Sequence, residues 1–338
     1  MDYGEILVTG GTGFLGRHVA RALVARGYLP RLLVRVGSES RIPEDIRSAC
    51  RVTLGDVTDP ESVENAVQGT SAIVHLAGIV REFPGKGITF DRVHVKATRN
   101  AVKAARRWEI SRFVHVSALG ARPGAPGAFF DSKGRGEEIV RNSDLRWTVF
   151  RPSAIFGRGD RFIDTLVRVL GRSPVAAVPG DGRVRFQPVF VEDVAFGIAD
   201  AVSRPPTEGR SFDIGGPESF SLDELMDTVA QALGRRVAKV HVPLPLLRSV
   251  VPFLSRFERF PISPEEIEIL AADSICESGP YWSDIRRTPL SLQNYLAGFT
   301  RGRSGRRADI AGGDAGRTGE GHAPGTPKGV EPPSRKAA

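Results

Sequence analysis

The chain has 338 residues, 41% hydrophobic and 25% charged, with a formal net charge of +8, which fits one large α/β domain with an appended lobe and excludes a disordered or fibrous protein. Two cysteines, Cys50 and Cys276, exclude a disulfide framework and a metal-type ligand cluster, so no metal is expected and a reducing compartment fits. No apolar run nears the ~20 residues of a membrane span, and a first strand beginning almost at Met1 leaves no room for a targeting segment, so a cytoplasmic protein is expected.

Glu5–Val8 is a short apolar run that reads as a buried strand. The turn Thr9–Gly16 follows, with glycines at 10, 13 and 16. Leu15, Val19 and Leu23 then recur at helical spacing, with Arg17, His18 and Arg21 between them. Strand, glycine turn and helix place a pyrophosphate at a helix N-terminus, where free N–H groups and the positive dipole end meet negative charge. Gly10 allows the tight turn, Gly13 the approach of backbone to phosphate, and Gly16 the packing of helix on strand. With Thr12, Phe14 and Leu15 they form the expected dinucleotide cradle.

Pro30–Arg35 reads as the second strand. An acid at its end would bind the 2′-OH of NAD, whereas an arginine suits the 2′-phosphate of NADP. The sequence offers Arg35, with Ser38 and Arg41 close behind and no carboxylate until Glu39. NADP(H) is therefore the expected cofactor, with NAD(H) as the alternative. Arg51–Leu54 is a third strand that closes on Asp56 and Val57, placed to receive the adenine, while Asp59 serves as N-cap for a helix from Pro60. Ala72–Gly78 is a central strand whose last residues, Leu76, Ala77 and Gly78, are small enough to let a ribose lie against the backbone; His75 within it reads as a packed residue.

Phe90–Trp108 reads as one long helix, Arg112–Ala118 as a fifth strand ending in the Ser117 hydroxyl, Phe129–Arg141 as a helix carrying Lys133, and Arg146–Arg151 as a sixth strand. Strands alternating with helices mean a doubly wound parallel sheet, a Rossmann domain over 1–157, with ligands at the carboxyl ends of the strands. Later segments could complete its strands. Residues 158–300 form a smaller, discontinuous lobe: Phe162–Leu170 helical, Phe186–Phe190 extended, Val191–Ala201 helical, Phe212–Ile214 extended, and Ser221–Leu233 helical behind a Ser221–Glu224 capping box. Within Val242–Phe260, residues Leu247, Val250, Val251, Leu254 and Phe257 fall at helical spacing, widened by Leu246 and Phe253 and edged by Arg248, Arg256 and Arg259, with Pro252 interrupting. This face is either the lobe's own core or a docking surface for a membrane or partner. From Arg301 the chain holds eight Lys/Arg against four Asp/Glu and almost no large apolar side chains. It reads as a disordered, solvated basic tail with no specific nucleic-acid binding.

The glycine turn Thr9–Gly16, Asp56-Val57, His75–Gly78, Val116-Ser117 and Arg151–Ser153 together resemble the extended and atypical short-chain dehydrogenase/reductase superfamily, which includes the NAD-dependent epimerase/dehydratase proteins. Val116–Ala121, Phe150–Gly157, Gly180–Gly182 and Gln187–Val194 narrow the resemblance to the branch of the nucleotide-binding accessory subunit of respiratory complex I and its bacterial relatives. The resemblance covers about residues 4–297. It implies that Pro152 and Ile155 complete the cofactor set, and that catalysis needs a tyrosine acid, a lysine four residues on and a serine or threonine hydroxyl. Lys133 and Ser117 match, but the tyrosine position is Phe129, the neighbouring hydroxyl position is Ala118, and the supporting asparagine is His94.

The cofactor signals are intact and the catalytic set is depleted. Three functions follow: a structural, assembly or redox-sensing NADP(H)-binding protein linked to respiratory or quinone metabolism; a reductase using Lys133, or a water held by Ser117 or Asp131, as proton donor; and, least supported, a sugar-nucleotide epimerase or dehydratase. Partners in these readings are the nucleotide, a quinone or other small-molecule substrate, and a membrane surface or protein complex docked through Val242–Phe260, which would place the protein at the inner face of a membrane.

Overall fold

The computed structural model describes residues 4–255 and 262–298; the tail from 301 onward and residues 256–260 of the apolar segment lie outside the described residues. The chain opens with β1 (Glu5–Thr9), α1 (Phe14–Ala25) and β2 (Leu29–Val34), then α2 (Glu44–Arg47), β3 (Arg51–Leu54), α3 (Pro60–Val67) and β4 (Ala72–His75). A π-helical turn over Asp91–Lys96 runs into α4 (Ala97–Arg107), followed by β5 (Arg112–Val116), α5 (Ala128–Arg141), β6 (Arg146–Pro152) and β7 (Ile155–Phe156). Next come α6 (Ile163–Arg172), β8 (Val175–Pro179), β9 (Arg185–Phe186), β10 (Val189–Phe190), α7 (Val191–Ala201), β11 (Arg210–Ile214) and β12 (Phe220–Ser221). The described chain closes with α8 (Leu222–Ala232), β13 (Ala238–Val242), α9 (Leu244–Leu254), α10 (Pro264–Leu270) and α11 (Gly279–Asp284).

Seven strands form one parallel sheet in the order β11-β6-β5-β4-β1-β2-β3. The chain leaves β1 toward β2 and β3 on one side and toward β4, β5 and β6 on the other. The connections after β1 and β4 therefore diverge, and the crevice between them is where a doubly wound sheet receives a ligand. The central strands are apolar on both faces because helices cover both. On one side Val19, Ala20 and Leu23 of α1 meet Val194 and Ile198 of α7 and Trp282 of α11 over Val8, Val74 and Val114. On the other, Val63 and Val67 of α3, Ala101 and Ala105 of α4 and Val140 of α5 cover Leu7, Ile73 and Phe113. A third cluster, including Phe156, Leu170, Phe186, Leu225 and Val229, is the core of the lobe.

Several local expectations are met for the stated reasons. The Asp59 carboxylate accepts from the Ser62 N–H at 2.9 Å as the N-cap of α3, and Ser221 and Glu224 form a reciprocal capping box on α8. Others are corrected. The helix expected over Phe90–Trp108 is not uniform: its first turn is π, which inserts one extra residue and turns the ring of His94 inward. Phe186–Phe190 is two short strands, parted where the Gln187 N–H donates to the carbonyl of Ser274. Phe212–Ile214 belongs to β11, which joins the main sheet beside β6.

Arg112, at the start of β5, is 4% exposed and makes no ion pair among the described residues. Its guanidinium donates instead to the carbonyls of Ala201 and Val202 and to the hydroxyls of Thr148 and Thr207, tying β5 and β6 to the end of α7. Burial lowers its pKa to about 10.

In the apolar segment, Val242 belongs to β13, which pairs with β8, and α9 starts only at Leu244. Pro252 stands in the last turn of α9, so the helix continues two residues past it. The apolar positions divide. Val251 is 2% exposed, whereas Leu246, Val250 and Phe253 are 54%, 41% and 61% exposed. The helix therefore buries one flank and leaves an apolar stripe on the other.

Candidate functional site

Parallel pairing brings the ends of β1 to β6 to one edge of the sheet, and every sequence-predicted site residue lies in or just beyond one of these ends or on the helices that follow. At the end of β1, Gly10 has φ +71°, and a Cβ there would meet the backbone of Leu76 and Ala77 at 3.0 Å. A Cβ on Gly16 would stand 2.2 Å from the Gly10 carbonyl oxygen and 2.7 Å from the Gly11 Cα. The turn closes through the Gly13 N–H donating to the Gly10 carbonyl at 2.9 Å. No side chain caps α1 and no acid stands in its first turn, so the opening amides at Phe14 and Leu15 face the crevice without an intrahelical acceptor. Thr12 lies in the same turn.

Arg35 follows β2 and is exposed, as is Arg41; neither side chain makes an ion pair or hydrogen bond among the described residues. Past β3, one Asp56 carboxylate oxygen accepts from the Thr58 N–H at 2.7 Å, leaving the other oxygen for a ligand. The carbonyl of Val57 is held by the Asn100 side chain at 3.3 Å. Leu76 and Ala77 continue from β4, and Gly78 is exposed and lies close to two polar groups: a Cβ there would lie 3.6 Å from both the Lys133 Nζ and the His94 Nε2. Pro152 ends β6 and its carbonyl accepts from the Leu119 N–H. Ile155, in β7, is paired with Val189 and sits half-buried at the edge of the core.

Lys133 is the ionic centre of this edge. Its ammonium donates to the Val116 carbonyl at 2.6 Å. Burial lowers its pKa to about 8. Ser117, which follows Val116, is 4% exposed, and its hydroxyl has no hydrogen-bond partner among the described residues. Phe129 stands one turn before Lys133 on α5, its ring edge-on to His94, Phe90 and Phe130 with centroids 5.7, 5.9 and 5.2 Å away.

Two hydrogen-bonded chains behind this edge have no clear signal in the sequence. The Ile79 N–H donates to His94 Nε2 at 3.1 Å, and His94 Nδ1 meets Ser132 Oγ at 2.9 Å, which donates on to the Phe129 carbonyl. Thr9 Oγ1 meets His75 Nδ1 at 2.8 Å, while His75 Nε2 meets Thr98 Oγ1, whose hydroxyl donates to the His94 carbonyl. Each acceptor fixes the tautomer of the ring before it, and both imidazoles are neutral. Burial, and then the Lys133 charge, lowers His75 to about 3 and His94 to about 2. His115 stacks on His75 with centroids 5.5 Å apart, both its ring nitrogens unpartnered, and is held well below the usual histidine range by the same causes. His75 is thus a packed strand residue, as expected. Ser132 escaped sequence reasoning because a lone serine on a helix carries no pattern.

Residues 10–170 match a family model described as NAD(P)H-binding. Subunit 9 of the NADH dehydrogenase [ubiquinone] 1 alpha subcomplex, mitochondrial, from Rattus norvegicus is 31% identical over 308 residues, covering 85% of this chain and 78% of that protein. The chain belongs to the NAD(P)-binding short-chain dehydrogenase/reductase superfamily. Within it, a ceramide reductase from Caulobacter vibrioides is 33% identical over 244 residues, covering 72% of this chain and 74% of the relative. Among solved structures, the Thermus thermophilus UDP-glucose 4-epimerase in complex with NAD shares the fold, with a TM-score of 0.67 at 22% identity over 88% of this chain and 99% of that one. Among the described residues, no helix is long and apolar enough to cross a membrane.

The cofactor is a nicotinamide dinucleotide, and the crevice fits one: at Gly16 there is no room for a side chain, at Gly10 the backbone is left-handed, no side chain caps the helix amides, and the buried Ser117 hydroxyl has no partner among the described residues. When bound, the group would supply hydride transfer. The glycine turn would hold its phosphates, Asp56 and Val57 its adenine, and Lys133 the ribose beside Gly78. At Phe129 the site has no proton to give.

Lys133 yields a test of this electrostatic picture. Its folded pKa of about 8 lies below the ordinary 10.5, so between those values the unfolded chain binds more protons and stability rises with pH. The expected gain is on the order of 3 kcal/mol. Nucleotide-free wild type should therefore gain denaturant stability from pH 8 to 10.5 relative to Lys133→Met measured alongside. Parallel pH profiles for the two proteins would show that Lys133 is not charged in a buried setting.

Proposed function

We propose that the protein binds NADP(H) in preference to NAD(H) and keeps it as a structural or redox-sensing element, in an assembly or sensing role linked to respiratory or quinone metabolism. The reading rests on Phe129. The corner where a tyrosine acid would stand is filled by a ring packed on His94, Phe90 and Phe130. Other tyrosines stand elsewhere: Tyr281 is buried against Phe150 and Phe212, and Tyr295 packs on Phe156 and Phe190 in the lobe. Likeness to a complex I subunit supports a role in an assembly. The uncommitted guanidiniums of Arg35 and Arg41 support NADP(H).

NADPH should bind more tightly than NADH by on the order of 1–3 kcal/mol, the worth of charge-assisted arginine–phosphate contacts. Arg35→Asp should erase or reverse the difference in a fluorescence titration. Equal wild-type affinities would remove the basis for the preference.

A second reading, an active reductase with Lys133 as proton donor, is favoured by the lowered pKa of that lysine and by the likeness to a protein named ceramide reductase. Asp131 is a poorer candidate, since its carboxylate is engaged by the Gly124 N–H and by Arg135. Turnover separates the readings. A tyrosine acid is worth ~10²–10⁴-fold, so wild-type reduction of carbonyl, sugar-nucleotide and quinone substrates should be slight, and Phe129→Tyr should restore part of it. Robust wild-type reduction that survives Phe129→Ala would favour the lysine.

The exposed stripe of α9 supports docking on an anionic membrane surface, as an apolar face on a chain of net charge +8. The full chain should co-sediment with phosphatidylglycerol vesicles. Leu246→Glu/Phe253→Glu, which touches only the outer flank, should stay in the supernatant with an unchanged melting temperature. Wild type left in the supernatant would end the membrane reading.

A further inference from the structure

The loop between β4 and the π-helical turn before α4 is fixed by contacts along its whole length. It leaves the sheet just after Gly78, where the Ile79 N–H donates to His94 Nε2 at 3.1 Å. Phe83 and Ile88 exchange backbone hydrogen bonds of 2.7 and 3.1 Å and close a hairpin over 83–88, with Gly87 at φ +66°. The Glu82 carboxylate accepts from the Phe90 N–H and secures the far end. Arg81 donates to the Ser255 carbonyl at 3.0 Å, which joins the hairpin to the C-terminal end of α9.

The side chains on this scaffold are apolar and cationic. Phe83 is 44% and Val80 37% exposed, and Phe253, two residues before Ser255, is 61% exposed. The Arg81 guanidinium and the Lys86 ammonium stand 5.5 and 5.9 Å from the centroid of the Phe83 ring. The Arg92 guanidinium lies against the turn, where a Cβ on Gly87 would come within 2.7 Å of it. None of these three cations makes an ion pair among the described residues; of the nearby acids, Glu82 accepts from the backbone and Asp91 pairs with Arg135. Like charges gathered around one hairpin repel each other until an anion meets them. Cations alone would suit any polyanion. The exposed Val80, Phe83 and Phe253 beside them suit one with hydrocarbon beneath its charge.

We propose that the hairpin over 83–88 is a membrane anchor: Phe83 enters the headgroup boundary of an anionic bilayer while Arg81, Lys86 and Arg92 meet the lipid phosphates. This rests on the reading that the exposed stripe of α9 docks on such a membrane, and it adds a second element to that contact. The Arg81 bridge to Ser255 holds the two elements together, so the protein sits on the bilayer in one orientation and does not roll about the axis of a single helix.

Sedimentation of the full chain with phosphatidylglycerol and with phosphatidylcholine vesicles tests the proposal. Wild type should bind the anionic vesicles at least about tenfold more tightly than the neutral ones. Phe83→Ser should weaken binding about tenfold. Lys86→Glu should weaken it by about as much on phosphatidylglycerol and leave phosphatidylcholine unaffected. Both side chains are exposed and outside the nucleotide site, so NADPH affinity and melting temperature should not move. Phe83→Trp gives a direct readout: its added emission should shift to the blue on anionic vesicles and be quenched by brominated acyl chains. Vesicle-bound Phe83→Trp protein whose added emission is neither shifted nor quenched overturns the hairpin, as do Phe83→Ser and Lys86→Glu proteins that sediment like wild type. The α9 reading then stands if Leu246→Glu/Phe253→Glu still detaches. Should Phe83→Ser lower the melting temperature, Lys86→Glu at the exposed tip decides in its place. Equal wild-type binding to both vesicle types also overturns the proposal, and wild type left in the supernatant overturns it together with the α9 reading.

Discussion

Backbone approaches backbone at Gly16 more closely than any Cβ allows, while Gly10 holds a left-handed turn tight against the next strand, and the organisation of the site depends on these two contacts. The turn at Gly10 lies against Leu76 and Ala77 of the neighbouring strand, and α1 at Gly16 lies on the turn itself. The contacts set the angle at which α1 leaves the sheet and so the direction in which its free amides point. The strand order does the rest. Because β2 and β4 flank β1 and the chain crosses over in opposite directions from it, the helix N-terminus faces an open crevice and not a neighbouring helix.

The other half of the crevice is governed by the cost of burying polar groups. Lys133 stays held by one carbonyl, and three histidines around it are neutral because burial and its charge both oppose their protonation. His75 and His94, neutral with tautomers set by their hydrogen bonds, act as fixed spacers. The chain from Ile79 through His94 and Ser132 to the Phe129 carbonyl orients the first turn of α5. Phe129 therefore occupies its corner as part of a bonded arrangement, its carbonyl held by Ser132 and its ring packed on His94, Phe90 and Phe130.

The lobe contributes a different kind of surface. α9 is apolar on most of its circumference, but Val251 alone on that helix is fully buried while Leu246, Val250 and Phe253 face outward. The Arg248–Glu268 pair ties α9 to α10, and Arg81 donates to the Ser255 carbonyl at the end of α9. A helix held at these two points presents its exposed apolar stripe from a fixed position.

The sequence by itself determined the sheet's first half and the identity of the cofactor class. Those features are local: the glycine spacing, the apolar run before it, the arginine after β2 and the cap at Asp59 each depend on residues within a few positions of one another. It also disclosed that Phe129 stands four residues before Lys133, since a helix fixes that relation. Tertiary structure decided the rest. The π turn that aims His94 inward, the use of Arg210–Ile214 as a seventh strand, and the meeting of His75, His115 and Lys133 depend on contacts between distant segments. The same holds for α9: periodicity shows that it has an apolar face, but only the tertiary packing, with α10 against it, reveals how much of that face is covered. Helical spacing specifies which side chains share a flank, and burial is a property of what lies against it.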